Sequence, residues 1–336
     1  MKKHLIIFLA FVLFCLNTAA VLADPIEVYF NDPYDNPKDR TIQNMILKDI
    51  KGAKSTIDLA TYNYTDTKTA QALIDAVHRG VKVRMVIDED NYNKKVVDQL
   101  HDGGVRIISA RSSGLMHAKY IIIDGKIVIS GSANMTLASF SDDNNFMIRM
   151  ESPEAAKIFT DEFEEMYLDL IFGEQSPKTK PASPVKLSDG TTVYIRFSPD
   201  DGIDDMIESL IQAANDSVYM LAYSFASRDI SERLQAADRD GLDVIVICED
   251  GKAYTDGGGQ CGPLAEKGVA VYVDGYPNKL MHEKAIILDN SVVIAGSYNF
   301  TRSADKRNDE QVLVIQSREI ANEFLAEFDK ILEEAR

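Results

Sequence analysis

The chain has 336 residues, of which 45% are hydrophobic and 26% are charged, so it can bury a substantial core. This composition excludes an intrinsically disordered, collagen-like or coiled-coil protein, and the length predicts two domains or two fused repeats. The net charge of −17 repels nucleic acid and anionic membranes at long range, which disfavours a nonspecific nucleic-acid coat protein.

The N-terminus has the pattern of a secretory signal peptide. Two lysines precede the apolar residues 5–16, and Val21 and Ala23 stand at the recognition positions of a cleavage site. We therefore predict that residues 1–23 are removed and that the protein is exported, either secreted or periplasmic. An uncleaved membrane anchor is the alternative. No later stretch approaches the ~20 apolar residues of a membrane-spanning helix.

Hydrophobic periodicity predicts alternating helices and strands along the rest of the chain. Apolar positions 70, 73, 74 and 77 share one face of a helix, and runs of β-branched residues indicate strands. The predicted elements are, in chain order, a helix at 69–78, strands at 81–87, 120–123 and 127–129, and amphipathic helices at 155–170 and 320–332. Because these strands are almost continuously apolar, helices should cover both faces of their sheet, which predicts an α/β layered fold.

The chain contains an internal repeat. Residues 57–64 match 218–225, an offset of 161, and later segments match at an offset of 165. We predict a first repeat at 24–172, a linker at 173–190 that contains three prolines, and a second repeat at 191–336.

Two cysteines, Cys248 and Cys261, remain after removal of the signal peptide. In an exported protein they could form a disulfide. The alternative is one core cysteine at the end of a buried strand and an unrelated cysteine in a loop.

The most specific pattern is HxK(x)4D(x)6GSxN, which occurs once in each repeat. Its polar members are His117, Lys119, Asp124, Ser132 and Asn134 in the first repeat, and His282, Lys284, Asp289, Ser297 and Asn299 in the second. The histidine and the lysine of each copy share one face because strand side chains alternate. If the repeats pack around a pseudo-twofold axis, two imidazoles and two ammonium groups meet in one pocket.

Such a pocket suits a phosphodiester. One imidazole can attack phosphorus while the other protonates the leaving oxygen, and the lysines can hold the non-bridging oxygens. The serines and asparagines of the two motifs can add neutral hydrogen bonds to the phosphate. Of the other mature histidines, His78 and His101 have no counterparts in the repeat, and we predict that both lie at the surface.

The doubled motif resembles the HKD signature of the phospholipase D superfamily, and the resemblance covers residues 26–332. It implies two α-β-α repeats packed as a pseudo-twofold pair, with the active site between them. It also implies a covalent phosphohistidine and no metal or cofactor. His117 of the N-terminal motif would be the nucleophile, and His282 would act first as acid and then as base.

The acidic positions are less symmetrical. Asp124 and Asp289 precede tight turns, which a carboxylate can cap; the resemblance adds a structural ion pair, and we expect this supporting role. Glu310 lies eleven residues after Asn299, where family members place a glutamate that orients a histidine. The first repeat has no acid there, which leaves open the histidine that Glu310 orients.

Other polar and aromatic clusters favour no additional site. The acidic triplet 88–90 is expected to be a solvated loop, and four mature histidines without a ligand cluster predict no metal. Tyr62, Tyr64, Tyr223 and Phe225 could line the pocket or pack at strand ends.

The sequence therefore predicts an exported phosphodiesterase that cleaves phospholipid headgroups, with no obligate protein partner. A metal-independent endonuclease of the same superfamily is the alternative, with nucleic acid as substrate. An inactive binding protein and a transferase that makes cardiolipin-type lipids are less favoured, because both motifs are intact and no later apolar stretch is long enough to span a membrane.

Overall fold

The computed structural model describes residues 26–335, except 32, 34, 35, 37, 38, 179, 254–257 and 276–278. The predicted signal peptide at residues 1–23 lies outside this part of the chain. Among the residues described, no helix combines the length and apolar character needed to cross a membrane.

The first repeat forms a mixed seven-stranded sheet in the order β1-β7-β6-β5-β2-β3-β4. Its strands are β1 (Ile26–Phe30), β2 (Thr56–Thr61), β3 (Lys82–Asp88), β4 (Arg106–Ala110), β5 (Lys119–Ile123), β6 (Ile127–Gly131) and β7 (Phe146–Glu151). Its helices are α1 (Thr41–Gly52), α2 (Thr67–His78), α3 (Lys94–Asp102), α4 (Leu137–Ser141) and α5 (Pro153–Tyr167).

The second repeat forms an eight-stranded sheet in the order β12-β11-β10-β13-β14-β15-β9-β8. Its strands are β8 (Val185–Lys186), β9 (Thr192–Ser198), β10 (Ser217–Ala222), β11 (Asp243–Cys248), β12 (Ala270–Val273), β13 (Lys284–Leu288), β14 (Val292–Gly296) and β15 (Glu310–Gln316). Its helices are α6 (Ile203–Ala213), α7 (Arg228–Arg239), α8 (Asp250–Ala253), α9 (Cys261–Glu266), α10 (Arg302–Lys306) and α11 (Arg318–Glu334).

The predicted α/β layering is confirmed, and most elements agree with their predicted positions to within two or three residues. Helix α5 starts at Pro153 because the side chain of Ser152 accepts a hydrogen bond from the Ala155 amide and caps the helix. Strands continue to the last residue whose main chain is paired, so β6 extends to Gly131. The segment predicted as a linker contains a 3₁₀ turn and the short edge strand β8.

Alternation along the central strands divides the core into layers. In β5, Tyr120 and Ile122 face a core that both repeats share, and Ile121 and Ile123 face a core of the first repeat alone. The shared core also contains Phe159 of α5 and Phe324 of α11. Both faces are thus buried, which explains the continuous apolar runs. The shared core joins the two repeats into one body.

Cys248 at the end of β11 and Cys261 at the start of α9 form a disulfide, with their Cα atoms 6.6 Å apart. Both residues are buried. The structure therefore selects the disulfide over two unrelated cysteines.

Candidate active site at the interface between the repeats

Each motif histidine is held by the main chain of the other repeat. The amide of His117 donates to the carbonyl of Asp309 at 2.9 Å, and the amide of His282 donates to the carbonyl of Asn144 at 3.0 Å. These contacts belong to two equivalent short parallel bridges across the interface. Both histidines consequently line one cleft of about 500 Å³. The pseudo-twofold packing brings the two motifs together.

His117 is oriented by a carboxylate from the second repeat. Its Nδ1 lies 2.7 Å from Oε2 of Glu310, which is fully buried. The hydroxyl of Ser297 donates to the same oxygen at 2.6 Å. Because an ionised carboxylate only accepts hydrogen bonds, Nδ1 carries the proton, and Nε2 is the nitrogen left for chemistry.

His282 has the equivalent arrangement with an amide in place of the carboxylate. Its Nδ1 lies 2.9 Å from Oδ1 of Asn145, a residue of the first repeat. The hydroxyl of Ser132 donates to that oxygen at 2.9 Å, and the amide nitrogen of Asn145 donates to the carbonyl of Ser139 at 3.2 Å. This second bond fixes the amide so that its oxygen faces the imidazole. The two histidines thus have the same geometry but different neighbouring charge.

The neighbouring charges affect the pKa values of the two histidines differently. Burial lowers the pKa of His117 below its usual value, and Glu310 opposes this shift. Burial also lowers the pKa of His282, and here Lys284 and Lys119 add to the effect, so that its pKa falls well below the usual value. Burial alone would raise the pKa of Glu310, but His117 and the nearby cations lower it, so Glu310 is ionised.

The two motif lysines lie beneath the histidines and are almost completely buried. Nζ of Lys119 donates to the carbonyl of His117 at 2.6 Å, and Nζ of Lys284 donates to the carbonyl of His282 at 2.7 Å. Burial lowers the pKa of Lys119 to about 7 and that of Lys284 well below its usual value. A bound phosphodiester anion would favour the charged form of both lysines and would thereby offset the effect of burial on their pKa values.

The motif asparagines line the cleft, but the motif serines do not. Asn134 and Asn299 belong to the cleft wall, and the Oδ1 of each is buried without a hydrogen-bond partner. Ser132 and Ser297 are fully buried and hold Asn145 and Glu310 in place. The hydrogen bonds that we expected from these serines to the phosphate are therefore made to the orienting residues instead.

Asp124 and Asp289 lie outside the site, at the opposite ends of the strands that begin with the motif lysines. Asp124 accepts hydrogen bonds from the amides of Lys54, Ser55 and Thr56, and Asp289 makes equivalent bonds to 215–217. In the described part of the chain neither aspartate forms the ion pair that the resemblance implied, and the supporting role of each is to cap a turn. Both residues have a positive φ, a backbone conformation that aspartate tolerates in turns.

One buried residue that sequence reasoning missed is Gln311. Its Oε1 accepts from the amide of Lys119 at 2.9 Å, and its Nε2 donates to the carbonyls of Lys119 and Gly131 at 3.2 and 3.0 Å. It therefore holds the main chain of a motif lysine from the other repeat. Its position directly after Glu310 was the one available signal.

A second missed residue is Asp88, which we predicted to lie in a solvated loop. It is buried, and its Oδ2 accepts from the amide of Met116, the residue before His117. The surface positions of His78 and His101 are confirmed.

The four aromatic residues divide into two pairs. Tyr62 packs against His117 with ring centroids 4.9 Å apart, and Tyr223 packs against His282 at 4.5 Å. Each of these tyrosines also lies over the neighbouring lysine. Tyr64 and Phe225 are buried in the cores of their own repeats. Tyr62 and Tyr223 thus line the cleft, and the other two pack at strand ends.

Comparison with known proteins is consistent with this geometry. The family model described as "Cardiolipin synthase, PLD-like domain" matches residues 46–167 and 207–332, once in each repeat. A protein named "Phospholipase D" from Rickettsia bellii is 34% identical over 149 residues, which are 44% of this chain and 73% of that protein. A mouse protein named "Mitochondrial cardiolipin hydrolase" is 26% identical over 137 residues, 40% of this chain and 62% of that protein.

A solved structure of a phosphatidylserine synthase from Haemophilus influenzae is similar to nearly the whole chain, with a TM-score of 0.70 and 14% identity, and the match covers 93% of this chain and 87% of that one. At this identity the likeness establishes a common fold.

Proposed function

This chain belongs to the phospholipase D superfamily of phosphodiesterases, and from that membership we propose that it hydrolyses phospholipid headgroups through a phosphohistidine. The observation that carries the proposal is the convergence of His117 and His282 in one cleft, above two buried lysines. The relatives named phospholipase D and cardiolipin hydrolase support a lipid substrate. The net charge of −17 favours a lipid over nucleic acid.

In the first half of the reaction, Nε2 of His117 attacks phosphorus and forms an N–P bond. The P–O bond to the headgroup breaks, and His282 donates its Nε2 proton to the departing alcohol. Lys119 and Lys284 stabilise the charge on the non-bridging oxygens. The phosphorylated imidazole carries a positive charge, which Glu310 stabilises through Nδ1 of the ring.

In the second half, neutral His282 takes a proton from water, and the resulting hydroxide attacks phosphorus. The N–P bond breaks, which releases phosphatidic acid and restores neutral His117 and protonated His282. Asn145 suits His282 for this role, because its amide oxygen can accept a hydrogen bond from Nδ1–H in either protonation state of the ring. The positions of Glu310 and Asn145 thus support the predicted order, with His117 as nucleophile.

The test is a parallel assay of the chain from Asp24 onward on phosphatidylcholine vesicles and on plasmid DNA. We expect release of choline and phosphatidic acid, and this should persist in excess EDTA because the lysines supply positive charge at the phosphate. The variant His117→Asn is the matched inactive control, and His101→Asn changes an exposed histidine. Cleavage of DNA without turnover of lipid would replace this proposal with the endonuclease.

The site of action is proposed from the N-terminal pattern alone. We propose that the protein is exported and acts outside the cytoplasm, with residues 1–23 as a signal peptide. N-terminal sequencing of the protein from the culture medium or periplasm should begin at Asp24. A chain that keeps Met1 and sediments with membranes would indicate an anchor instead.

A further inference from the structure

The mouth of the cleft has a leucine from each repeat at equivalent positions. Leu115 and Leu280 each stand two residues before a motif histidine, and both line the cleft. The amide of Leu115 donates to Oδ1 of Asn308, and the amide of Leu280 donates to Oδ1 of Asp143. Their carbonyls accept main-chain hydrogen bonds from the opposite repeat as well. Both leucines are therefore fixed at the entrance to the cleft.

A third leucine extends this apolar rim on the side of the first repeat. Leu137 begins α4, and its neighbours Thr136 and Ala138 line the cleft. Its side chain is 50% exposed, and that of Leu115 is 38% exposed. The residue at the equivalent position of the second repeat is Arg302. A single exposed leucine is common on protein surfaces, but leucines grouped at one opening are typical of a surface that contacts a protein or a membrane.

The charges around the cleft are few. Among the described residues that line it, Lys252 and Asp143 are the only charged side chains besides the two histidines. A site that follows a nucleic-acid backbone needs a row of cations, because one negative charge recurs with every phosphate. This rim presents one lysine, one aspartate and leucines.

We propose that Leu115, Leu137 and Leu280, together named the leucine rim, dock the cleft onto a zwitterionic phospholipid surface. The inference rests on the proposed lipid-cleaving function and identifies the surface that delivers the substrate. The rim is continuous with the cleft, so a docked headgroup lies next to the histidines while apolar side chains contact the acyl boundary. A zwitterionic surface is favoured because the net charge of −17 opposes approach to anionic lipid.

The experiment compares the wild-type chain with the variant Leu115→Gln/Leu137→Gln/Leu280→Gln. Turnover is measured on phosphatidylcholine vesicles and on dibutyryl-phosphatidylcholine, which is monomeric in water. We expect the ratio of vesicle to monomer turnover to fall about thirty-fold, since each exposed leucine contributes several-fold to partitioning. Co-sedimentation with vesicles should fall in parallel. Tyr272→Gln, at an exposed tyrosine of edge strand β12, should change neither measurement.

Vesicle composition provides an independent readout. Sedimentation with phosphatidylcholine should be insensitive to salt, and added phosphatidylglycerol should weaken it until salt screens the repulsion. An unchanged turnover ratio and unchanged sedimentation in the triple variant would overturn the leucine rim while leaving lipid hydrolysis intact. Absence of vesicle and monomer turnover by the wild-type chain would instead overturn the proposed function.

Discussion

Glu310 of the second repeat and His117 of the first form a buried pair across the interface, with 2.7 Å between Oε2 and Nδ1. The equivalent pair of Asn145 and His282 crosses in the opposite direction. Each repeat therefore supplies one reactive imidazole and the residue that orients the other. Neither repeat alone contains a complete acid–base pair, which is a physical reason for the two copies to be fused.

The asymmetry between Glu310 and Asn145 should be visible in the pH dependence of kcat/KM. We expect the profile to fall as pH rises, because Lys119 loses its charge near its pKa of about 7 and because His282, which must be protonated to act as the acid, has a pKa well below its usual value. Asn145→Asp adds a carboxylate beside His282 and raises its pKa, so the alkaline limb should move up by about one pH unit. A profile identical to wild type would show that His282 is not the acid.

Removal of the carboxylate of Glu310 should lower the pKa of His117. Glu310 raises the pKa of His117 against the effect of burial, so Glu310→Gln should move the acidic limb of kcat/KM to lower pH. We also expect kcat to fall about 10²-fold, since the positively charged phosphohistidine loses its counter-charge. Ser297→Ala, which keeps the carboxylate but removes the hydroxyl that donates to it and that accepts from the Gln311 amide, is the milder companion variant. Loss of activity without a shift of the limb would indicate a purely structural role.

Gln311 should act as a positioning residue for Lys119. Gln311→Met keeps the length of the side chain and removes the hydrogen bonds to Lys119 and Gly131. We expect kcat to fall about tenfold or more with a small change in KM. Displacement of the lysine should weaken its stabilisation of the transition state more than its binding of the substrate. Gln316→Met, at an exposed position at the end of the same strand, is the control. Equal kinetics for the two variants would contradict this role.

The motif residues could be identified from the sequence because repetition and strand alternation are local properties. The pairing of Glu310 with His117 is not local, since the two residues are 193 positions apart and meet only after the repeats pack. Asn145 was missed for a related reason: its role is defined by the position that it occupies, and an amide there breaks the expected acidic pattern.

Asp124 and Asp88 also show that the contacts of a side chain cannot be predicted from its position in the sequence. Asp124 has a regular place in the motif, yet the five-residue strand β5 carries it to the far end of the sheet from His117. Asp88 was assigned to a solvated loop from its charged neighbours, yet the chain folds it under the amide of Met116. Spacing along a strand predicts which face a side chain occupies, and tertiary packing decides what it contacts.

Burial of Lys119 should cost stability. Lys119→Met removes a charge from a fully buried site and should stabilise the folded state by roughly 1–2 kcal/mol near pH 6, while abolishing activity. The folded-state pKa of about 7 lies below the ordinary 10.5, so the cost is complete below pH 7 and is relieved between pH 7 and 10.5. Denaturant unfolding should therefore show that Lys119→Met raises the free energy of unfolding, by an amount that becomes smaller as pH rises above 7. A destabilised variant at pH 6 would contradict this account.

Asp124 should matter for folding and not for chemistry. Burial alone would raise the pKa of Asp124, but backbone and side-chain hydrogen bonds lower it to about 2. The contribution of Asp124 to the stability of the folded state is therefore complete above its ordinary pKa of 3.8 and is lost as pH falls toward 2. Asp124→Asn, which tolerates the positive φ, should lower the free energy of unfolding by about 1 kcal/mol at pH 7. Its kcat should equal that of wild type. A large loss of kcat in the fully folded variant would return Asp124 to the site.

The division of labour between the histidines is tested by trapping the covalent intermediate. With a ³²P-labelled lipid and rapid acid-free quench, we expect label on His117, because Glu310 stabilises the charged phosphohistidine there. His117→Asn should form no adduct. His282→Asn should accumulate it when the leaving group needs no proton, as in a p-nitrophenyl ester, because the base for hydrolysis is missing.

The same experiment distinguishes the alternatives. A primary alcohol added in place of water should intercept the labelled intermediate and yield the corresponding phosphatidyl alcohol. Peptide mapping that places the label on His282 would reverse the two roles and would require that Asn145, with no negative charge, tolerates the phosphorylated imidazole. Inversion of configuration at phosphorus without any adduct would reject covalent catalysis, because two successive displacements at phosphorus retain configuration.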